Sequence, residues 1–179
     1  LALILAWLYS MPPIRFKNNG WIGNLACGVS YEGLAWITGA TLLSGGSIPN
    51  KPSLLLAGLY SASAHGIMTL NDFKSVVGDR EMGIRSLPVQ LGEARAAITA
   101  CGFMIVSQAL VVAYLWSLSA TSHALGVAAL TVAQLPLMAQ FVKHPAKQAL
   151  RLSAFGVPLF VAGMMVSAWA LRHLSEVSL

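Results

Sequence analysis

Long apolar stretches separated by short polar segments make up almost the whole chain. A helix needs about 20 predominantly apolar residues to cross the hydrocarbon core of a bilayer. The first stretch, residues 1–11, is about half that length and ends at a pair of prolines. Five longer stretches predict full spans, at residues 24–43, 53–73, 94–117, 121–142 and 152–174. The pattern therefore predicts an all-α protein, a polytopic transmembrane helix bundle with about six spans.

Composition supports this interpretation and excludes an ordinary soluble domain. Apolar residues make up 56% of the chain and charged residues only 9%. We expect residues 1–179 to form a single membrane domain. The chain opens at Leu1, inside an apolar stretch, without an initiator Met or a basic leader, so we expect a fragment that lacks N-terminal helices. Cys27 and Cys101 lie within apolar stretches and are interpreted as free thiols packed between helices.

The basic residues are distributed unevenly between the two sides of the predicted bundle. Alternating spans place nine lysines and arginines in loops on one side and two on the other, and cytoplasmic loops are enriched in these residues. The first side is therefore predicted to be cytoplasmic. Its charges also suit contact with anionic lipid headgroups of the bilayer, whereas no motif supports binding to nucleic acid. The nine residues are Arg15, Lys17, Lys74, Arg80, Arg85, Arg95, Lys143, Lys147 and Arg151.

Three of the six acidic residues lie in one polar segment at the cytoplasmic end of the third predicted span. Asp72 and Asp79 are seven residues apart, which on an ideal helix leaves only about 20° of angular drift, so we expect both on one helix face. Lys74, Arg80 and Arg85 lie beside them. Such a segment can hold a divalent cation and an anion together. The alternative is that the carboxylates form ion pairs with these basic residues at a helix end.

A second polar loop falls on the same side, between the first two apolar stretches. Arg15 and Lys17 supply fixed positive charges there, and Asn18 and Asn19 supply amide groups. Mg²⁺ prefers carboxylate, water and phosphate oxygens and rarely uses a cage made of protein alone. A carboxylate pair facing a basic loop therefore suits a diphosphate bridged by Mg²⁺.

Two further polar residues lie deeper in predicted spans. His65 is seven residues before Asp72, so it extends the predicted acidic face into the membrane, where it could contact a ligand or bond to a neighbouring carbonyl. Glu32 lies in mid-span, where a carboxylic acid needs a partner or a polar cavity. Substrate contact and a structural hydrogen bond between helices are both consistent with its position.

Several segments together resemble one family of membrane enzymes. Asn71-Asp72-Phe73-Lys74, then Gly78-Asp79-Arg80, then Gly83-Ile84-Arg85-Ser86-Leu87-Pro88-Val89 resemble the second aspartate-rich motif of the UbiA superfamily of intramembrane prenyltransferases. Tyr9-Ser10-Met11-Pro12-Pro13, the run from Lys17 to Asn24, and Tyr31-Glu32-Gly33-Leu34-Ala35-Trp36 are similar to its chlorophyll and bacteriochlorophyll synthase branch. The resemblance covers residues 1 to about 92, and the last three spans resemble the family by hydropathy alone.

The resemblance implies nine transmembrane helices around a central cavity, in which two aspartate-rich motifs bind a prenyl diphosphate through Mg²⁺. The first motif, of the form Asn-Asp-x-x-Asp, is expected upstream of this chain. The second often reads Asp-x-x-x-Asp, whereas here Ser75 stands four residues before Asp79 and the partner acid is Asp72. Asp72 and Asp79 are thus the expected catalytic and metal-binding residues. The expected substrate-binding residues are Tyr9, Arg15, Lys17, Glu32, His65, Asn71, Lys74, Arg80 and Arg85.

The implied reaction esterifies the propionate of a chlorophyllide or bacteriochlorophyllide with a geranylgeranyl or phytyl group. The implied location is a bacterial inner, photosynthetic membrane with the site on the cytoplasmic side, and other proteins of the pigment pathway are further expected partners. Three alternatives stay open at this point. They are a related prenyltransferase with a quinone or haem-precursor acceptor, a cation-coupled transporter, and a structural subunit for pigment assembly.

Overall fold

Helices account for nearly all of residues 1–177, the part of the chain that this computed structural model describes; side chains are described through residue 174. The N-terminal half contains α1 (Ala2–Ser10), α2 (Gly20–Gly28), α3 (Ala35–Leu43), α4 (Lys51–Asp72) and α5 (Val76–Glu81). The C-terminal half contains α6 (Leu87–Leu91), α7 (Glu93–Ser117), α8 (Thr121–Lys143), α9 (Pro145–Arg151) and α10 (Val157–Val177). A 3₁₀ turn covers Phe16–Asn18, and two π-helical segments cover Val29–Leu34 and Leu152–Gly156. The all-α prediction is confirmed.

Four helical stretches of the described residues are long and apolar enough to cross a membrane. They are Lys51–Asp72, Glu93–Ser117, Thr121–Lys143 and Pro145–Leu174, which correspond to the last four predicted spans. The predicted span at residues 24–43 is divided among α2, the first π segment and α3, which follow one another without a gap. The half-length stretch at the start forms the short helix α1.

Close approach to α4 depends on small residues in the neighbouring helices. At Gly28 of α2, an added Cβ would lie 2.6 Å from the Ser61 carbonyl oxygen and 3.4 Å from the Ala64 Cβ. A residue larger than glycine would therefore push α2 away from α4. This contact sets the distance at which α2 presents its polar residues to α4.

A buried cluster of polar side chains joins α7 to α8. Gln108 and Gln134 are almost fully buried, and the Gln134 Nε2 donates a hydrogen bond to the Gln108 Oε1 at 3.0 Å. The Thr131 hydroxyl donates to the same oxygen at 3.2 Å. Each glutamine also donates to a backbone carbonyl oxygen four residues earlier. These bonds satisfy amide groups that could not bond to water inside a membrane, and they fix the register of the two helices.

Candidate functional site

The two aspartates meet at a break between two helices, so the prediction that they share one continuous helix face is wrong. α4 ends at Asp72, and the N–H groups of Lys74 and Ser75 bond to the carbonyl oxygens of Asn71 and Asp72, each at 3.1 Å. Bonds between residues three apart tighten the last turn and end the helix. α5 then begins separately at Val76. The aspartates therefore come together through a bend in the chain.

The segment that carries this bend is fixed at both ends. At its start, Phe73 is buried and packs edge-to-face on Phe141 of α8, with 5.1 Å between ring centroids. At its end, the Ile84 N–H donates to the Asp79 carbonyl oxygen at 2.8 Å, after a turn at Gly83 with a positive φ of 70°. Buried aromatic packing of this kind favours one orientation of the chain over alternatives. Asp79 is thereby held over the end of α4.

A polar cavity of about 210 Å³ lies between the end of α4, the start of α2 and the segment after α5. Both aspartates line this cavity, together with the side chain of Lys17 from the basic loop. The two polar loops that the sequence places on one side of the membrane therefore meet at one site. Its lining residues are Tyr9, Lys17, Asn19, Gly20, Gly23, Asn24, Asp72, Ser75, Asp79, Ile84 and Ser86.

Backbone hydrogen bonds hold the two loops together at the cavity. Asn19 and Arg85 form a parallel β-bridge, in which the Gly20 N–H donates to the Arg85 carbonyl oxygen at 2.8 Å and the Arg85 N–H donates to Asn18 at 3.1 Å. The Asn19 side chain also caps α2 by accepting from the N–H groups of its first turn. One wall of the cavity is thus built by strand-like pairing between segments some 65 residues apart, which orders both loops.

Neutral donors hold both carboxylates. The Asn24 Nδ2 donates to the Asp72 Oδ2 at 3.1 Å. The Ser75 hydroxyl donates to the Asp79 Oδ2 at 3.0 Å. Among the described residues, no lysine or arginine forms an ion pair with either half-buried carboxylate, so the alternative of ion pairs at a helix end is not what the structure shows. Both carboxylates line the cavity.

Of the residues expected to contact a diphosphate, Tyr9 and Lys17 lie at the cavity. Tyr9 lies close to both Cys27 and Asp72. Arg15 lies outside the lining and is exposed, with its Nε 3.4 Å from the Ser10 carbonyl oxygen. The sequence gives Arg15 and Lys17 the same expected role, but only Lys17 lines the cavity.

The other basic residues of the acidic segment do not line the cavity. Lys74 is exposed and donates from its Nζ to the Asn71 Oδ1 at 3.3 Å. The side chains of Arg80 and Arg85 are exposed at the same end of the bundle. The backbone of Arg85 nevertheless contributes to the site, through the bridge described above and a bond from the Gln90 amide to its carbonyl oxygen. The roles of the Asn71, Lys74, Arg80 and Arg85 side chains stay predictions.

His65 and Glu32 lie away from the cavity lining. His65 is buried, its Nε2 lies 3.2 Å from the Trp21 carbonyl oxygen, and its ring stacks on Phe103 with centroids 4.3 Å apart. Its Nδ1 is buried without a hydrogen-bond partner. Glu32 lies half-buried in the first π segment, a type of helix that is rare and is often found at functional sites. Substrate contact by either residue stays a prediction.

The sequence interpretation does not single out two residues that the structure places at the site, Asn24 and Ser86. Asn24 is a buried amide in an apolar helix, on the same face as Gly28, which packs against α4. A polar residue on the most closely packed face of a predicted span is the signal that could have identified it. Ser86 stands at the start of α6, buried at the wall of the cavity, and no local pattern marks it.

The donors present fit Mg²⁺ held jointly with a substrate, and they do not form a closed metal cage. Within the described residues, no cluster of three His, Cys, Asp or Glu side chains could hold a metal by itself. Mg²⁺ usually takes one or two carboxylates together with phosphate oxygens and water, which is what Asp72 and Asp79 offer. The Ser86 hydroxyl is buried at the cavity wall without a partner, which also suits a ligand with many acceptor oxygens.

Comparison with known proteins agrees with the helical membrane architecture. The chain matches the UbiA prenyltransferase family over residues 1–162. It is 43% identical over 174 residues to the bacteriochlorophyll synthase 33 kDa chain of Rhodobacter capsulatus, covering 96% of this chain and 57% of that protein. The protein of the same name from Cereibacter sphaeroides is 46% identical over 172 residues, with the same coverage of both chains. The chloroplastic chlorophyll synthase of Oryza sativa subsp. japonica is 41% identical over 171 residues, covering 95% of this chain and 45% of that protein.

The chain thus spans about half the length of the curated relatives that it matches. No solved structure matches it significantly. A family match over most of the chain, together with four helices able to cross a membrane, identifies an integral membrane protein. The chain belongs to the UbiA prenyltransferase family.

Proposed function

We propose that this chain forms one membrane domain, residues 1–179, of an enzyme that transfers a geranylgeranyl or phytyl group from its diphosphate to the propionate of a chlorophyllide or bacteriochlorophyllide. The relatives named bacteriochlorophyll synthase and chlorophyll synthase support this choice of acceptor over a quinone or haem precursor. We further propose that the cavity faces the cytoplasm from a bacterial inner, photosynthetic membrane, because the basic loops around it follow the positive-inside rule.

The observation that carries the proposal is the meeting of two carboxylates and one lysine in a single cavity at the end of the spans. A transporter would more commonly bind its ion near the bilayer midplane, at a break within a span. A cavity at the membrane surface instead lets a charged diphosphate stay at the polar boundary while its prenyl chain enters the apolar bundle. The location therefore favours prenyl transfer over transport.

In the proposed reaction, an oxygen of the acceptor carboxylate forms a bond to C1 of the prenyl group while the bond from C1 to the diphosphate oxygen breaks. Diphosphate leaves with the bonding electron pair, so no proton has to move. Lys17 lines the cavity, and its ammonium group would bind the leaving group and stabilise its increasing charge. The acceptor is already an anion near neutral pH, so the reaction needs no general base.

Asp72 and Asp79 are the residues that would hold Mg²⁺, with Asn24 and Ser75 fixing one oxygen of each carboxylate. When bound, Mg²⁺ would supply Lewis-acid neutralisation of the diphosphate charge. The apolar helices around the cavity exclude water from C1, which would otherwise give the prenyl alcohol by hydrolysis.

The test is Asp79→Asn in the full-length protein, purified in detergent and assayed with geranylgeranyl diphosphate, Mg²⁺ and a bacteriochlorophyllide or chlorophyllide acceptor. We expect loss of ester formation in a protein that stays folded in detergent. Glu81→Gln is the matched control, because Glu81 lies two residues further along α5, is exposed and does not line the cavity. Wild-type turnover in Asp79→Asn would show that Asp79 has no role in the active site.

The same assay separates the alternative functions. Ester formation only with a quinone or haem-precursor acceptor would place the enzyme elsewhere in the family. Copurified pigment without turnover would favour an assembly role. Metal-dependent flux of an ion into proteoliposomes, without any prenylated product, would favour a transporter.

A further inference from the structure

A chain of hydrogen bonds connects Asp72 to the interior of α4 through Asn24. Asn24 is buried in α2, and its Nδ2 lies 3.1 Å from the Asp72 Oδ2 and 3.1 Å from the Thr69 Oγ1. Thr69 is fully buried, and its hydroxyl donates to the His65 carbonyl oxygen at 2.9 Å. This series of hydrogen bonds thus connects the His65 carbonyl oxygen, the Thr69 hydroxyl, the Asn24 amide and the Asp72 carboxylate.

The chemistry of the groups fixes the direction of every bond in this chain. A carboxylate and a backbone carbonyl only accept hydrogen bonds. The single Thr69 proton is used by the His65 carbonyl oxygen, so Thr69 must accept from Asn24. Asn24 therefore uses one N–H for Thr69 and the other for Asp72, and its amide cannot flip without breaking both bonds.

We infer that Asn24 is a positioning residue, which fixes the Asp72 carboxylate in the orientation that binds the metal–diphosphate complex. This inference rests on the proposed function. The close packing of α2 on α4 at Gly28 places Asn24 next to Asp72. Asn24 provides a neutral donor, so the carboxylate is oriented while its charge stays available to a cation.

The fold itself does not require this amide. A buried position facing α4 in a membrane can be filled by a small residue without a polar side chain, as it is at Gly28 of the same helix. A buried amide is retained at a cost unless each of its groups is paired. Here the pairing ends at a carboxylate that lines the cavity, which assigns the amide to the site.

The test uses the full-length protein with Asn24→Ala and Thr69→Val. The control is Ser61→Ala, because Ser61 is also buried in α4 and donates to the carbonyl oxygen four residues earlier, as Thr69 does, without contact to Asp72. The first readout is binding of geranylgeranyl thiodiphosphate, an analogue that resists cleavage, titrated at several Mg²⁺ concentrations. The second readout is the pair of KM values for geranylgeranyl diphosphate and for the chlorophyllide acceptor.

A hydrogen bond to a charged group typically accounts for a tenfold to roughly hundredfold change in affinity. We expect Asn24→Ala to raise the half-saturating Mg²⁺ concentration and the KM for the prenyl diphosphate by about tenfold or more, with the KM for the acceptor changed less than about twofold. Thr69→Val should shift the same two values in the same direction by a smaller factor, because Asn24 keeps its bond to Asp72.

Equal changes in both KM values, or effects of Asn24→Ala that match those of Ser61→Ala, would show that the amide has only a packing role. Normal Mg²⁺ dependence in Asn24→Ala would contradict the inference directly. If the wild-type protein binds the thiodiphosphate but esterifies no chlorophyllide, the proposal that chlorophyllide is the acceptor is wrong. The binding titration still tests the role of Asn24 in that case.

Discussion

Gly20 is the position at which a single methyl group should disturb both the fold and the site. A Cβ built on Gly20 would lie 2.5 Å from the Leu87 nitrogen and 2.9 Å from the Ser86 carbonyl carbon, whereas ordinary contact starts near 3.4 Å. Both neighbours are backbone atoms, so no side chain can rotate away. The Gly20→Ala substitution must therefore separate α2 from the start of α6.

This separation has a cost that can be estimated. Overpacking of this kind typically costs about 1–3 kcal/mol, which corresponds to a fall in melting temperature of roughly 2–12 °C for a unit of 150–250 residues. The movement also acts on the site, because Gly20 and Ser86 line the cavity and the Gly20 N–H bonds to the Arg85 carbonyl oxygen. We expect prenyl transfer to fall by about tenfold, which corresponds to a loss of about 1.4 kcal/mol of transition-state stabilisation.

The measurement is a thermal melt in detergent beside the ester-formation assay, both on the full-length protein. Gly58→Ala is the matched control, because a Cβ at this position of α4 meets no atom within 4 Å. In a helix, alanine is more favourable than glycine by up to about 1 kcal/mol, so this control should melt at the wild-type temperature or slightly above it. If Gly20→Ala behaves like Gly58→Ala in both assays, the backbone at Gly20 does not pack as closely against Ser86 and Leu87 as described above.

Two further predictions follow from the geometry. Lys17→Ala should weaken binding of the prenyl diphosphate by about tenfold, while Arg15→Ala should have a smaller effect, because only Lys17 lines the cavity. Equal losses measured by titration with the thiodiphosphate would contradict this distinction. Gln134→Leu should lower stability by about 1–3 kcal/mol, because the buried Gln108 amide oxygen loses its nearest donor. A melt that matches that of Gln140→Leu, an exposed position of α8, would show that the glutamine pair contributes nothing.

Hydropathy was sufficient to predict the long helices, because burial in lipid requires apolar residues over a fixed length. The bounds of α7 and α8 differ from the predicted spans by one residue at most. The sequence was also sufficient to bring the two polar loops to one side of the membrane, since alternation of spans dictates it. The bridge between Asn19 and Arg85 confirms that these loops meet.

The break after Asp72 could not be predicted in the same way. An ideal helix would continue through Asp79, and none of the intervening residues is a proline. The turn that ends the helix is accompanied by the packing of Phe73 on Phe141, a contact between residues 68 positions apart. Local propensity contains no information about such a contact. Asn24 was missed for the same reason, since its role depends on which helix α2 packs against.

The choice of neutral donors around the aspartates leads to a prediction about the metal. Two half-buried carboxylates without a cationic partner repel each other and lose solvation, so the folded protein without a cation carries an energetic cost. Binding of Mg²⁺ should remove this cost, and a ligand that binds only the folded state stabilises it by about 2.7 kcal/mol at a concentration 100 times its Kd. We therefore expect Mg²⁺ to raise the melting temperature of the full-length protein, and Asp79→Asn to raise it without Mg²⁺ while reducing the Mg²⁺ response. Melts of Glu81→Gln in EDTA and at increasing Mg²⁺ concentrations provide the comparison. A wild-type melting temperature that does not respond to Mg²⁺ would show that the paired carboxylates are stable without a cation.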